Sequence, residues 1–117
     1  MIGVRERMKH NRKQLREELP RLRDQIVAQC DPERVVLFGS LSRNEENGLS
    51  DIDVMVIGES NTDFKSRQRR LRNAIDPSVP VEIFYYTPDE LERLLPVSSF
   101  ARSAMREGKT IYERGSR

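Results

Sequence analysis

Leu15, Leu19, Leu22 and Ile26 recur at spacings of four, three and four, which is one stripe of an amphipathic helix running to about residue 29. Pro20 lies inside that stripe and removes a backbone donor, so the helix either restarts near Leu19 or bends there. Two short apolar runs follow: Val35, Val36, Leu37 and Phe38, ending in Gly39, and Ile52, Val54, Met55, Val56 and Ile57, ending in Gly58. Their length, β-branching and terminal glycines predict strands. Ser60 and Asn61 are placed to cap a helix with Phe64, Leu71, Ala74 and Ile75 turned inward and Lys65, Arg67, Arg69, Arg70 and Arg72 turned mostly outward, ended by Asp76 and Pro77. Residues 81–86 form a third strand with Glu82, Phe84 and Tyr86 on one side and Val81, Ile83 and Tyr85 on the other.

Thr87, Pro88, Asp89 and Glu90 then open a helix through a capping box, in which Thr87 caps and Glu90 reaches back. Pro96 closes it. Ser98 or Ser99 caps another helix through Met105, Gly108 supplies a left-handed stop, and Thr110, Ile111 and Tyr112 make a short edge strand. The order helix, strand, strand, helix, strand, helices, strand predicts an α/β (α+β) fold, a small mixed sheet with helices packed mainly on one face. Residues 1–18 read as a basic helical extension and residues 19–117 as the domain proper.

Composition narrows the chemistry. With 117 residues, 36% hydrophobic and 34% charged, the chain holds one small core under heavily solvated helices. No stretch is long and apolar enough to span a bilayer and the N-terminus turns charged at once, so a soluble cytoplasmic protein is expected. One cysteine, Cys30, excludes an internal disulfide framework, and one histidine, His10, leaves too few soft ligands for an ordinary zinc site. A metal here takes oxygen ligands. His10 sits among Lys9, Asn11, Arg12 and Lys13, as on a solvated helix, which weighs against triad catalysis. The net charge is only +2, although residues 1–16 carry six Lys/Arg against Glu6 and residues 63–72 carry five against Asp63. Polyanion binding is allowed but not demanded.

The chemistry concentrates in Phe38, Gly39 and Ser40, ten intervening residues, then Asp51, Ile52 and Asp53. Residues two apart on a strand share a face, so Asp51 and Asp53 present paired carboxylates opposite Ile52, Val54 and Val56. Adjacent like charges repel unless a cation sits between them, and hard oxygen ligands favour Mg²⁺. A glycine ending a buried strand lets backbone approach a phosphate, Ser40 adds a hydroxyl and an N–H, and the planar cation of Arg43 suits the charge that grows as pyrophosphate leaves.

Taken together, Gly39, Ser40, Arg43, Ser50, Asp51 and Asp53 match the motif of the nucleotidyltransferases related to DNA polymerase β, and the chain from Leu19 to Glu113 resembles their minimal nucleotidyltransferase (MNT) group. The turn at Thr87 to Leu91 and the ending Arg106, Glu107, Gly108, Lys109 also look like that group. The resemblance implies nucleotide-binding roles for Gly39, Ser40 and Arg43, and catalytic and metal-binding roles for Asp51, Asp53 and a third carboxylate. The position matching that third carboxylate holds Glu82, where the family usually has Asp.

The activity so implied is transfer of a nucleoside monophosphate, AMP from ATP, to an acceptor hydroxyl, with two Mg²⁺ ions for which Mn²⁺ substitutes. The resemblance further implies an antitoxin whose partner is a helical HEPN-domain toxin, modified on a tyrosine. A protein, a small molecule or RNA is open as acceptor, and a homodimer is open as the assembly. A second reading keeps the fold, lets the Glu82 exchange weaken catalysis and has the chain neutralise its partner by contact. A third, weaker reading is a nucleic-acid adaptor using residues 1–16 and 65–72; the basic helix reads more simply as a solvated face. Beyond Asp53 and Glu82 the carboxylate face continues into Met55, Ile57, Phe84 and Tyr86, so a cover is expected there: residues 1–18, a second copy or a partner.

Overall fold

The computed structural model describes the backbone of residues 4–39 and 52–115, with side chains from residue 13 onward within those ranges. The described residues form eight elements in chain order: α1 (Val4–Cys30), β1 (Arg34–Phe38), β2 (Ile52–Ile57), α2 (Phe64–Ala74), β3 (Val81–Tyr86), α3 (Pro88–Leu94), α4 (Ser99–Glu107) and β4 (Lys109–Glu113). The four strands form one mixed sheet in the order β3-β2-β1-β4. β1 is antiparallel to both β2 and β4, whereas β2 and β3 are parallel and joined through α2. This is the mixed α+β architecture expected from the element order.

Strand alternation divides the core in two. Val35, Leu37, Ile52, Val54, Val56, Ile83 and Tyr85 point to the face covered by α1 and α2, where they pack with Leu15, Leu22, Ile26, Leu71 and Ile75. Val36, Met55 and Ile57 point to the opposite face and are buried beneath Leu91 of α3 and Ala101 and Ala104 of α4. The two longer helices thus lie on one side. The cover expected over Met55 and Ile57 is supplied by α3 and α4, not by residues 1–18 or another chain. Met55 is fully buried there, so that face gives no reason to infer an outside partner.

Pro20 neither ends α1 nor divides it. The helix runs through it and continues across residues 18 and 19, carrying Leu15 and Glu18 into buried positions. Glu18 accepts from the backbone N–H (3.0 Å) and the hydroxyl (2.6 Å) of Ser78 and from Arg21 (2.7 Å), which clamps α1 to the turn before β3.

Three local expectations are corrected. The cap of α2 is Asp63, whose carboxylate accepts from the N–H (2.9 Å) and hydroxyl (3.0 Å) of Ser66; Ser60 instead serves the preceding turn, bonded to Thr62. The inward face also differs: Ala74 is exposed and Arg67 is buried at 4% exposure, drawn in by partners on other segments. The third concerns Gly108, which has φ −72°, outside the left-handed region. A side chain there would run into the Ala104 carbonyl, Val36 Cγ1 and the Leu37 carbonyl, so the glycine serves close approach of α4 to β1.

The capping box of α3 is present, and Glu90 serves it twice over. Its carboxylate takes the Thr87 N–H at 2.8 Å and binds both terminal nitrogens of Arg67 at 2.6 and 3.2 Å. Arg67 also donates to the Tyr85 and Thr62 carbonyls, at 2.9 and 2.6 Å, and lies over the Tyr85 ring at 5.3 Å. One guanidinium therefore joins α2, β3 and α3.

Candidate active site

The site is built at one end of the sheet. In the register of the three neighbouring strands, Phe38 pairs with Asp53 across β1 and β2, and Asp53 pairs with Glu82 across β2 and β3. Paired strands lie about 4.8 Å apart, and residues in register present their side chains to the same face. Two carboxylates thus stand side by side on the face that carries Met55, Ile57, Phe84 and Tyr86. Glu82 is exposed and Asp53 half-buried.

Burial along β2 explains why the acid is at this end. From Met55 onward the face is closed by α3 and α4, where an ionised carboxylate would meet a large desolvation cost. One pair of residues earlier the cover stops, and Asp53 stands at that margin. Phe100, in the first turn of α4, marks it. Its ring packs edge-on to Phe38 (5.4 Å between centroids) and Phe84 (4.9 Å), and Phe38 and Phe84 approach each other to 5.9 Å from strands on either side of β2. Such edge-to-face aromatic contacts give a rigid apolar wall beside the two acids.

Gly39 completes the described part. It directly follows β1 and adopts φ +81°, a left-handed conformation that glycine takes without steric cost. A Cβ at this position would lie 2.5 Å from Asp53 Oδ2. The backbone after β1 is therefore held against the carboxylate itself, leaving peptide groups and carboxylate oxygens facing one small space.

Of the residues singled out from the sequence, Gly39, Asp53 and Glu82 are brought together. Ser40, Arg43, Ser50 and Asp51 lie outside the described residues. Among the described residues no group of three or more His, Cys, Asp or Glu side chains is arranged to hold a metal ion. The described donors suit a hard cation: the carboxylates of Asp53 and Glu82 stand in register on adjoining strands. No helix among the described residues is long and apolar enough to cross a membrane.

Sequence reading did not single out Phe100, whose place depends on how α4 crosses the sheet. Only its position two residues after the Ser98 cap, on the first turn of a short helix, was open to inspection.

Residues 12–111 match the family described as nucleotidyltransferase domain. The chain belongs to that family. The match runs from α1 into β4 and takes in Gly39, Asp53 and Glu82 together with the segment between β1 and β2. The fold is also similar to the crystal structure of a Sulfolobus solfataricus protein provisionally assigned as a nucleotidyltransferase, with a TM-score of 0.66 and 15% identity over 97% of this chain and 94% of that one. At that identity the likeness speaks for the nucleotidyltransferase fold alone. No curated protein matches the sequence.

Proposed function

We propose that this nucleotidyltransferase domain transfers AMP from ATP to an acceptor hydroxyl, using Asp51, Asp53 and Glu82 around Mg²⁺ and Gly39, Ser40 and Arg43 on the triphosphate. The observation that carries the reading is the contact between Gly39 and Asp53. A glycine backbone pressed against an acid at the open end of a sheet puts phosphate-facing peptide and metal-facing carboxylate within one ligand's reach.

Two Mg²⁺ ions held by these carboxylates would neutralise the triphosphate and make the acceptor hydroxyl a better nucleophile. The protein's own groups do the rest. Gly39 and Ser40 fix the β- and γ-phosphates, Arg43 balances the charge of the departing pyrophosphate, and Asp53 with Glu82 sets where the acceptor oxygen meets the α-phosphorus. A new oxygen–phosphorus bond forms there, the bond to the bridging oxygen breaks, pyrophosphate leaves with the electron pair and the hydroxyl proton passes to solvent.

The acceptor suggested by likeness to the MNT group is a tyrosine of a helical HEPN-domain toxin, with this chain as antitoxin. Incubation with α-labelled ATP, Mg²⁺ and the product of the adjacent gene tests both levels. Labelled partner supports the whole reading, and label on another acceptor keeps the transferase and discards the toxin. A chain that neutralises such a partner without any label transfer acts by contact alone.

A further inference from the structure

Between α4 and the end of β1 lies a recess of about 200 Å³, lined by Phe38, Gly39, Phe100, Ser103, Ala104 and Glu107. We propose that this recess takes the nucleobase of the nucleoside triphosphate. The proposal rests on the nucleotidyl-transfer reading above and adds to it a place for the part of the substrate that the carboxylates and Gly39 do not touch.

Position is the first argument. The recess borders Gly39, the residue pressed against Asp53, so a ligand with its phosphates at that contact has its remaining atoms beside the Phe38 and Phe100 rings. Size is the second. The volume suits a fused or single heteroaromatic ring and is too small for a stretch of polypeptide. The third is the character of the wall. Phe100 packs edge-on against Phe38 and Phe84, keeps 36% of its surface exposed and lines the recess, so aromatic surface there is open to a flat ligand. Aromatic faces accept any base by stacking.

Chemistry at the rim then sets a preference. Ser103 and Glu107 stand one helical turn apart on α4 and both line the recess. The Glu107 carboxylate also meets Arg106 Nη2 at 3.6 Å, but its several acceptor sites, with the Ser103 hydroxyl beside it, still suit a base edge carrying an exocyclic amino group. Adenine offers that group and hypoxanthine does not.

Binding of ATP and of inorganic tripolyphosphate, each with Mg²⁺, separates the base from the phosphates. The unaltered protein should bind ATP more tightly than tripolyphosphate and more tightly than inosine triphosphate. Phe100→Ala should weaken ATP by about tenfold or more, the range found when a stacking aromatic is removed, and leave tripolyphosphate unchanged. Ser103→Phe, which fills the recess from the helix side, should do the same. Unchanged ATP affinity in both variants overturns the proposal, as does equal weakening of ATP and tripolyphosphate. If the unaltered protein binds tripolyphosphate but ATP no better, the recess is not a base site and the transfer reading stands. If it binds neither, the transfer reading falls and this proposal with it.

Discussion

Asp53 Oδ2 sits 2.5 Å from the point where any side chain on Gly39 would begin, and Gly39 itself holds φ +81°. Glycine is required twice at this position, once by the backbone and once by the acid. Gly39→Ala should therefore destabilise the fold by roughly 1–3 kcal/mol through strain. Because the new methyl also pushes Asp53 aside, transfer should fall by about 10²-fold or more. Urea unfolding and label transfer from ATP measure the two effects separately, and a variant with wild-type stability and turnover contradicts the arrangement.

Glu82 faces Asp53 in register, and its length is the open variable. Glu82→Asp should keep or raise activity if Glu82 is the third carboxylate, since Asp is the residue that resemblance to the nucleotidyltransferases related to DNA polymerase β implies there. Glu82→Ala should lower turnover without changing stability, because the side chain is exposed. Full activity in the alanine variant removes Glu82 from the site.

Arg67 is 4% exposed and binds Glu90 through two nitrogens while serving two backbone carbonyls. Replacing it with Met leaves Glu90 uncompensated and those carbonyls short of donors. The expected loss is near the low end of the ~3–5 kcal/mol seen when a buried pair is broken, since Glu90 keeps about a quarter of its surface in water. Denaturant unfolding of Arg67→Met and Arg67→Lys checks this, and lysine should recover only part because it cannot make the forked contact.

Three carboxyls are lowered, the exposed cap Asp63 by the Ser66 N–H and hydroxyl, and the more enclosed Glu18 and Glu90, on which acid stability chiefly depends. Burial alone would raise Glu18, but the Ser78 hydroxyl and N–H and the Arg21 guanidinium outweigh it and bring it below its ordinary 4.5. Glu90 is lowered chiefly by the hydrogen bond from Arg67, against the opposing effect of burial. A group lowered in the folded state contributes stability that is fully present above its unfolded value and lost as pH falls through the folded one. The midpoint of urea unfolding should hold above about pH 5 and fall steadily below 4.5. Glu18→Gln and Glu90→Gln should each flatten that fall, and an unchanged acid slope in both would falsify the assignment.

Where the chain's own chemistry decided local structure, the sequence was readable. The alternation of β2 and β3 placed Asp53 and Glu82 on one face with Met55 and Phe84, and Thr87 with Glu90 announced the start of α3. What escaped depended on partners distant in sequence. Arg67 reads as a surface cation in any helical projection, and its burial follows only from Glu90 and two carbonyls contributed by other segments. Gly108 resembles a left-handed stop, yet its role is set by Val36 and Leu37 across the sheet. The covering of Met55 could not be seen in the periodicity of α3 and α4, because each is too short for its apolar stripe to say which face it seeks. Motif spacing singled out Gly39 and Asp53 and strand alternation set Glu82 on their side, and these three do come together, while Phe100 was not legible, since its place depends on the angle at which α4 crosses β1.

In the proposed reaction the Asp53 carboxylate serves transfer and not the fold. Mg²⁺-dependent release of pyrophosphate from ATP in the presence of acceptor, compared between the unaltered protein and Asp53→Asn, tests it most directly. Asp53→Asn should lose the rate altogether while unfolding at the same urea concentration as the unaltered protein; undiminished turnover by this variant would mean that Asp53 takes no part in transfer.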